Sequence, residues 1–208
     1  MDSIGTGGGT SGILLAGGAS RRFPPNKLLM VVRGAPLLWY ALRPLAEVVD
    51  EIVIVVGADA PLPALPTLPV PVRIARDADP LGGPLVGLAA GLAAASTSSA
   101  VVAAGDAPAT PPALLAALRD ALAGTSADVI ALSDGQRRSV LPSAVRVAAA
   151  RDAVSTLVAE GERRLRALLD AVPVEVMPET WWRRFDEGGA WRRDIDRPED
   201  LNTLDEVN

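Results

Sequence analysis

The sequence contains no cysteine and no histidine. These absences exclude disulfides, zinc sites built on thiolates or imidazoles, cysteine nucleophiles and every mechanism that needs a histidine base. Any bound metal would therefore rest on oxygen ligands, which suits a hard ion such as Mg²⁺. Lysine is nearly absent too, because Lys27 is the only one among 20 basic residues. That rarity makes position 27 a candidate for a specific role.

The chain also lacks excess positive charge and long apolar runs. Its formal net charge is −5. A domain that binds nucleic acid normally has a net positive charge or a basic face, so we expect no nucleic-acid partner. No apolar run reaches the roughly 18 residues of a membrane span. The first residues are polar and glycine-rich rather than basic and then apolar. We therefore expect no contact with a membrane and a cytoplasmic location.

The 208 residues predict one globular α/β domain, over 12–208, after a disordered glycine-rich tail at 1–11. Short β-branched segments alternate with Ala- and Leu-rich helical patterns, which indicates βαβ units and a largely parallel sheet. The regular alternation ends after Asp134. A proline-rich segment at 58–71 is predicted to be an extended surface connection. The predicted strands are 12–16, 51–57, 72–75, 100–104, 128–132, 139–147 and 174–177, and the predicted helices are 36–49, 84–95, one after Pro112, 148–160, 162–171 and 198–207.

A glycine-rich loop leaves the first predicted strand and ends at the lone lysine, with the sequence LAGGASRRFPPNK over 15–27. Paired glycines let backbone N–H groups approach an anion, and Arg22 and Lys27 add positive charge. Neither the Walker spacing nor GxGxxG is present. The alternative is a flexible loop with solvated arginines. A position at the carboxyl end of a parallel strand favours phosphate binding, since open α/β sheets bind ligands there.

Asp106 follows directly after another predicted strand, in the sequence GDAP. One carboxylate at this edge of the sheet suits Mg²⁺, which needs few protein ligands when phosphates and waters complete its shell. The alternative is a turn residue or the N-cap of the next helix.

Asp77 lies just before the glycine turn GGPLVG, which includes Gly83 and leads into a helix. A flat ring could lie against such a turn, and a carboxylate can pair with the N1–H and the exocyclic amine of guanine. The alternative is that Asp77 is a solvated loop residue.

The sequence DIDRPEDL brings two carboxylates, Asp194 and Asp196, to one side of a short extended segment. This spacing can complete a metal site. Asp196 could equally cap the terminal helix, whose first turn is acidic.

Together, in order and in spacing, LAGGASRRFPPNK, GGPLVGLAAGL, GDAP and DIDRPEDL resemble the molybdenum cofactor guanylyltransferase family, over nearly the whole chain. The resemblance implies the nucleotide-diphospho-sugar transferase fold, a single-domain three-layer α/β/α sandwich with a mostly parallel, mixed central sheet. It also implies an Mg²⁺-dependent nucleotidyltransferase that moves GMP from GTP to the terminal phosphate of molybdopterin and releases pyrophosphate. The implied partners are GTP and Mo-molybdopterin, and further the proteins of cofactor synthesis and the molybdoenzymes.

The resemblance assigns roles to residues by position. Arg22, Lys27 and Asp106 would be catalytic, and Asp106 and Asp196 would bind the metal. The residues that would bind the nucleotide are Leu15, Ala16, Gly17, Gly18, Lys27, Asp77, Gly83 and Asp106.

The chain departs from the family pattern at Pro24, where relatives have glycine, and at Asp194 and Asp196, where they have asparagine. Three alternatives follow: a cytidylyltransferase for the same cofactor, a guanylyltransferase for another phosphorylated acceptor, and a non-catalytic nucleotide-binding relative. The aromatic and basic segment 181–193 could hold a pterin, or its tryptophans could simply pack on the body while its arginines stay solvated.

Overall fold

The computed structural model describes residues 7–17, 27–77, 79, 82–135, 137–195 and 200. Seven strands form one sheet and two short strands form a hairpin. The strands are β1 Gly7–Leu15, β2 Val31–Val32, β3 Ala35–Pro36, β4 Glu51–Gly57, β5 Val72–Asp77, β6 Thr97–Ala104, β7 Val129–Ser133, β8 Arg138–Arg146 and β9 Val174–Met177. The α-helices are α1 Leu37–Ala46, α2 Gly83–Ala94, α3 Pro112–Ala123, α4 Val147–Ala159, α5 Leu168–Ala171 and α6 Glu179–Trp182, and short 3₁₀ helices occupy Lys27–Leu29, Leu165–Ala167 and Ala190–Arg192.

The sheet has the strand order β5-β4-β1-β6-β8-β7-β9. Neighbours are parallel except around β8, which runs antiparallel to both β6 and β7. The mostly parallel, mixed sheet predicted from the sequence is therefore confirmed. The break in the regular pattern after Asp134 is the turn into the one reversed strand.

Helices cover both faces of the sheet. Successive residues of β1 point to opposite faces, so Ile13 packs with α2 and α4 whereas Leu14 packs with α1. All of β4 except its last residue is buried, as expected for a strand covered on both sides. Helix α3 lies over β7 and β8 on the α1 face. The result is the predicted three-layer α/β/α sandwich.

The first strand is longer than predicted, because it begins at Gly7. The prediction of disorder is therefore wrong for residues 7–11, while residues 1–6 lie outside the described part of the chain. Polar contacts hold this half of the strand: the Thr10 amide donates to Asp50 at 2.8 Å, and the Ser11 hydroxyl donates to the buried Glu51 at 2.6 Å.

Other boundaries differ as well. The predicted helix 162–171 is a turn followed by helical residues from Leu165, because Arg164 has an extended backbone, and the Glu162 carboxylate accepts the amides of Arg163 and Arg164 in this turn. Helix α1 ends at Ala46, three residues early. The β2–β3 hairpin was not predicted, and its turn places both Arg33 and Gly34 at positive φ.

The connection 58–71 contains no helix or strand, as predicted, although its leucines pack against the core formed with α1. The predicted helix 198–207 lies outside the described residues. Within the described ranges, no helix is long and apolar enough to cross a membrane.

Candidate active site

The carboxyl ends of four neighbouring parallel strands form one edge of the sheet. In the register of these strands, Leu15 pairs with both Val55 and Ala104, and Gly57 pairs with Asp77. The backbone stays tied beyond the strands, because the Gly105 amide donates to the Leu15 carbonyl at 2.9 Å. The glycine-rich loop, Asp77 and the residue after Gly105 thus start from the same edge, as the parallel pattern predicts.

Lys27 and Asp106 meet at this edge. The Lys27 ammonium donates to the Asp106 carboxylate at 2.6 Å and to the Ile195 carbonyl at 2.9 Å. The Ile195 amide in turn donates to the Asp106 carbonyl at 2.8 Å. Lys27 is 9% exposed, whereas the Asp106 side chain is 32% exposed. The lone lysine therefore joins the end of the glycine-rich loop, the end of β6 and the segment that carries DID.

Asp77 lies at the opposite end of the same edge. Strand β5 is three strands from β6, which at the usual spacing of ~4.8 Å separates them by ~14 Å. One oxygen of the half-buried Asp77 carboxylate accepts the amide of Asp79 at 2.9 Å. Asp77 and Asp106 therefore lie at the two ends of this edge and do not share a single site.

Gly83 begins α2 with φ of +71°, a conformation that favours glycine. A Cβ at this position would lie 3.1 Å from the carbonyl oxygen of Arg163, which also accepts the Leu85 amide at 3.3 Å. The Arg163 turn is held by the Glu162 carboxylate, whose pKa is lowered to about 2 by hydrogen bonds from Arg164 and from the amides of Arg163 and Arg164. The turn that replaces the predicted helix start thus supports the glycine turn.

A cavity of about 430 Å³ adjoins Asp106 on the side of β8. The sequence left open whether segment 181–193 holds a pterin or packs on the body, and the cavity wall includes Trp191 and Arg192. The one available signal was the run of tryptophans and arginines itself, since nothing in the local sequence indicates which of them face a cavity. The other lining residues are Ala104, Asp106, Ala107, Thr110, Asp134, Ser139, Val140, Leu141, Pro142 and Asp194.

The structure thus brings together some of the predicted site residues and separates others. Leu15, Ala16, Gly17 and Asp106 follow or end neighbouring strands and Lys27 contacts Asp106, while Asp77 and Gly83 lie toward β5 at the other end of the edge. Gly18, Arg22 and Asp196 lie outside the described residues. The roles assigned to all of them stay predictions.

Asp106 fits a magnesium ion as a single oxygen donor. It is a partly exposed carboxylate at the sheet edge, and no group of three or more acidic residues placed to bind a metal occurs within the described ranges. A magnesium ion here would therefore take most of its ligands from water and from phosphates, which is its usual habit in phosphate-transfer sites.

Comparison with known proteins gives consistent matches. The profile of the MobA-like NTP transferase domain matches residues 12–176. The molybdenum cofactor guanylyltransferase of Burkholderia cenocepacia (strain HI2424) is 35% identical over 192 residues, which cover 88% of this chain and 92% of that protein. The fold is similar to that of the molybdopterin-guanine dinucleotide biosynthesis protein A from Archaeoglobus fulgidus, with a TM-score of 0.76 at 21% identity over 95% of this chain and 97% of the other.

The fold is also similar to that of the 2-C-methyl-D-erythritol 4-phosphate cytidylyltransferase from Thermus thermophilus, with a TM-score of 0.65 at 19% identity over 94% of this chain and 98% of the other. Because both structural relatives are remote in sequence, they establish the three-layer architecture of this chain and leave its substrates to be argued from the site.

Proposed function

The chain belongs to the family of MobA-like NTP transferases, and from this premise we propose that it transfers GMP from GTP to the terminal phosphate of molybdopterin. The observation that carries the proposal is the Lys27–Asp106 contact at the end of β1 and β6, three strands away from Asp77. This spacing suits a nucleotide that lies along the sheet edge, with its base at Asp77 and Gly83 and its phosphates at Lys27.

In the proposed reaction, an oxygen of the acceptor phosphate attacks the α-phosphorus of GTP. The new P–O bond forms as the bond to the β-phosphate breaks, and pyrophosphate leaves with that electron pair. The protein supplies little covalent chemistry, so positioning and charge compensation account for the rate. In this proposal the Lys27 ammonium neutralises phosphate oxygens, and backbone amides of the glycine-rich loop donate to them.

Asp106 would hold Mg²⁺ together with the phosphates of the substrate, and Asp196, outside the described residues, would be a second carboxylate ligand. Bound there, the ion would compensate the charge that develops on the phosphates. The Lys27 ammonium donates a hydrogen bond to one oxygen of Asp106. When nucleotide binds, Lys27 must either share this carboxylate with the metal or move its ammonium toward the phosphates.

The acceptor is best accommodated in the cavity beside Asp106. The cavity lies on the β8 side, whereas the proposed nucleotide path runs from β6 toward β5, so donor and acceptor would approach Asp106 from opposite directions. This arrangement is what an in-line displacement needs, because the attacking and leaving oxygens lie on opposite sides of the phosphorus.

The test is pyrophosphate release from GTP with Mg²⁺ and Mo-molybdopterin, with CTP and ATP as parallel substrates. We expect turnover with GTP and formation of the guanine dinucleotide cofactor. Faster turnover with CTP would replace the guanylyltransferase by a cytidylyltransferase. If GTP binds without release of pyrophosphate, molybdopterin is not the acceptor, and the chain either uses another acceptor or only binds nucleotide. A screen of phosphorylated acceptors distinguishes these two cases.

A further inference from the structure

The cavity beside Asp106 has a charge pattern that opposes its proposed occupant. Three carboxylates line it, those of Asp106, Asp134 and Asp194, and an acceptor phosphate would enter as an anion. Among the described residues that line the cavity, Arg192 is the one cation. Lys27, a positive group at the same sheet edge, already donates to Asp106.

The Arg192 guanidinium is held in place by its surroundings. It lies over the ring of Trp182 at 5.1 Å and over the ring of Trp191 at 5.9 Å. A Cβ on Gly189 would lie 2.4 Å from one of its terminal nitrogens, so the guanidinium occupies space that only glycine leaves open. An aromatic ring attracts the flat face of a guanidinium. The N–H donors lie in the plane of the guanidinium and therefore stay available to other groups.

The turn that carries Arg192 is fixed from within the protein. The buried Asp186 carboxylate accepts the Ala190 amide at 2.9 Å and the Trp191 amide at 2.8 Å. Trp191 is itself 5% exposed and packs edge to face against Trp182. Arg192 is exposed, and no hydrogen bond or ion pair joins its guanidinium to another residue of the described ranges. An oriented guanidinium with uncommitted donors is a preorganised receptor for an oxyanion.

We propose that Arg192 binds the phosphate of the acceptor in the cavity beside Asp106. This inference rests on the proposed function, since it assigns a receptor for the phosphate that attacks GTP. A planar guanidinium presents paired donors that match two phosphate oxygens. Its charge offsets the neighbouring carboxylates, so the phosphate can approach Asp106 without meeting a purely negative wall.

The test compares ligands that differ by one phosphate. Calorimetric titration would measure binding of molybdopterin, and of molybdopterin whose terminal phosphate has been removed, to the wild type and to Arg192→Ala. We expect the substitution to weaken binding of the phosphorylated ligand by about 10- to 100-fold and to leave the dephosphorylated ligand unaffected. The affinity for GTP should stay within about twofold, since Arg192 lies on the acceptor side.

Three further variants separate charge, geometry and general loss of an arginine. Arg192→Lys should recover part of the affinity because it keeps the charge without the fork. Gly189→Ala should reproduce the defect while keeping Arg192, because its Cβ meets the guanidinium and a φ of +63° strains alanine in this turn. Arg184→Ala is the matched control, since Arg184 lies over Trp181 and Phe185 and does not line the cavity.

The outcomes distinguish this site from the proposed function. Equal loss of affinity for both ligands, or no loss for either, would overturn the phosphate role of Arg192. If the wild type does not bind molybdopterin at all, that acceptor is wrong, and titration with inorganic phosphate then decides the site. Binding of inorganic phosphate that disappears in Arg192→Ala would support the site, whereas binding that persists, or none in the wild type, would overturn it.

Discussion

The two ends of the sheet each hold a carboxylate paired with a basic side chain, but the two pairs differ in how completely the carboxylate is bonded. At the amino end, the Glu51 carboxylate accepts the Ser11 hydroxyl at 2.6 Å, the Ser96 amide at 2.8 Å and the Ser96 hydroxyl at 2.7 Å, and it forms an ion pair with Arg73. Burial alone would raise the pKa of Glu51, and these hydrogen bonds lower it to about 2.

At the carboxyl end, the Asp106 carboxylate has one side-chain partner among the described residues, Lys27. About a third of the Asp106 side chain is exposed, whereas Glu51 is 7% exposed. A carboxylate whose oxygens are already saturated stabilises the fold and has no capacity for a ligand. A carboxylate with spare lone pairs can accept a metal or exchange its partner. The comparison supports a structural role for Glu51 and agrees with the proposed catalytic role of Asp106.

The largest effect should come from Asp106→Asn, which keeps the shape of the side chain and removes its charge. We expect kcat to fall by about a hundredfold or more, corresponding to about 3 kcal/mol of lost transition-state stabilisation. Lys27→Ala should cause a loss of similar size. The melting temperature should also fall somewhat in Asp106→Asn, because the nearly buried Lys27 ammonium loses this charged partner. Steady-state kinetics at saturating GTP and Mg²⁺, with thermal unfolding in parallel, provides the measurement.

The control for this prediction is Asp120→Asn. The Asp120 side chain is 67% exposed and pairs with Arg119 on the surface of α3, so the same loss of charge occurs far from the sheet edge. Turnover near the wild-type rate in Asp106→Asn or in Lys27→Ala would remove that residue from the catalytic centre.

The opposite result is expected from Glu51→Gln. The side-chain amide of glutamine has one acceptor oxygen instead of two, so some of the donors on Ser96 and Arg73 would lose their acceptor. We expect the free energy of unfolding to fall by about 2–3 kcal/mol. The kcat of the folded protein should be unchanged, because Glu51 lies at the other end of the sheet. Urea unfolding and steady-state kinetics of the same preparation would test both statements.

Glu175→Gln is the matched control for stability, since Glu175 is an exposed residue on the edge strand β9 and the change in net charge is identical. A variant of Glu51 that unfolds at the wild-type urea concentration would contradict the structural role. One that is stable but slow would indicate that the two ends of the sheet are coupled.

The sequence predicts the fold well where structure follows local pattern. The strands β4 and β9 have their predicted bounds, because β4 is a short continuous β-branched run and β9 alternates apolar and polar residues. The amino half of β1 was missed because contacts distant in sequence hold it. Thr10 meets Ser99 and Ser11 meets Glu51, over separations of 89 and 40 residues.

The candidate site divides in the same way. Lys27 and Asp106 could be assigned to one edge because both follow parallel strands, and strand order then makes them neighbours. Arg192 could not be placed, since its position depends on Asp186 closing a turn that has no helical or strand periodicity. The local sequence does not distinguish an aspartate whose buried carboxylate caps a short turn from an aspartate that is exposed to solvent.

The smallest effect is expected in the pH dependence of the free energy of unfolding. This measurement separates the contribution of the Glu51 charge from that of its packing. The pKa of Glu51 is about 2 in the folded protein against an ordinary value of 4.5, so its contribution is fully present above pH 4.5 and is lost as the pH falls toward 2. Between about pH 5 and pH 3 the wild type should lose about 2 kcal/mol more than Glu51→Gln. Urea unfolding at the two pH values measures this difference.

The other carboxyl groups do not disturb this comparison, because the variant retains them and their contributions cancel in the difference. Glu162, whose pKa is also lowered to about 2, titrates alike in both proteins. If the two proteins lost stability in parallel, the hydrogen bonds around Glu51 would be insensitive to its charge. The amino-end cluster would then stabilise the sheet through packing and neutral hydrogen bonds, and saturation by donors would no longer distinguish Glu51 from Asp106.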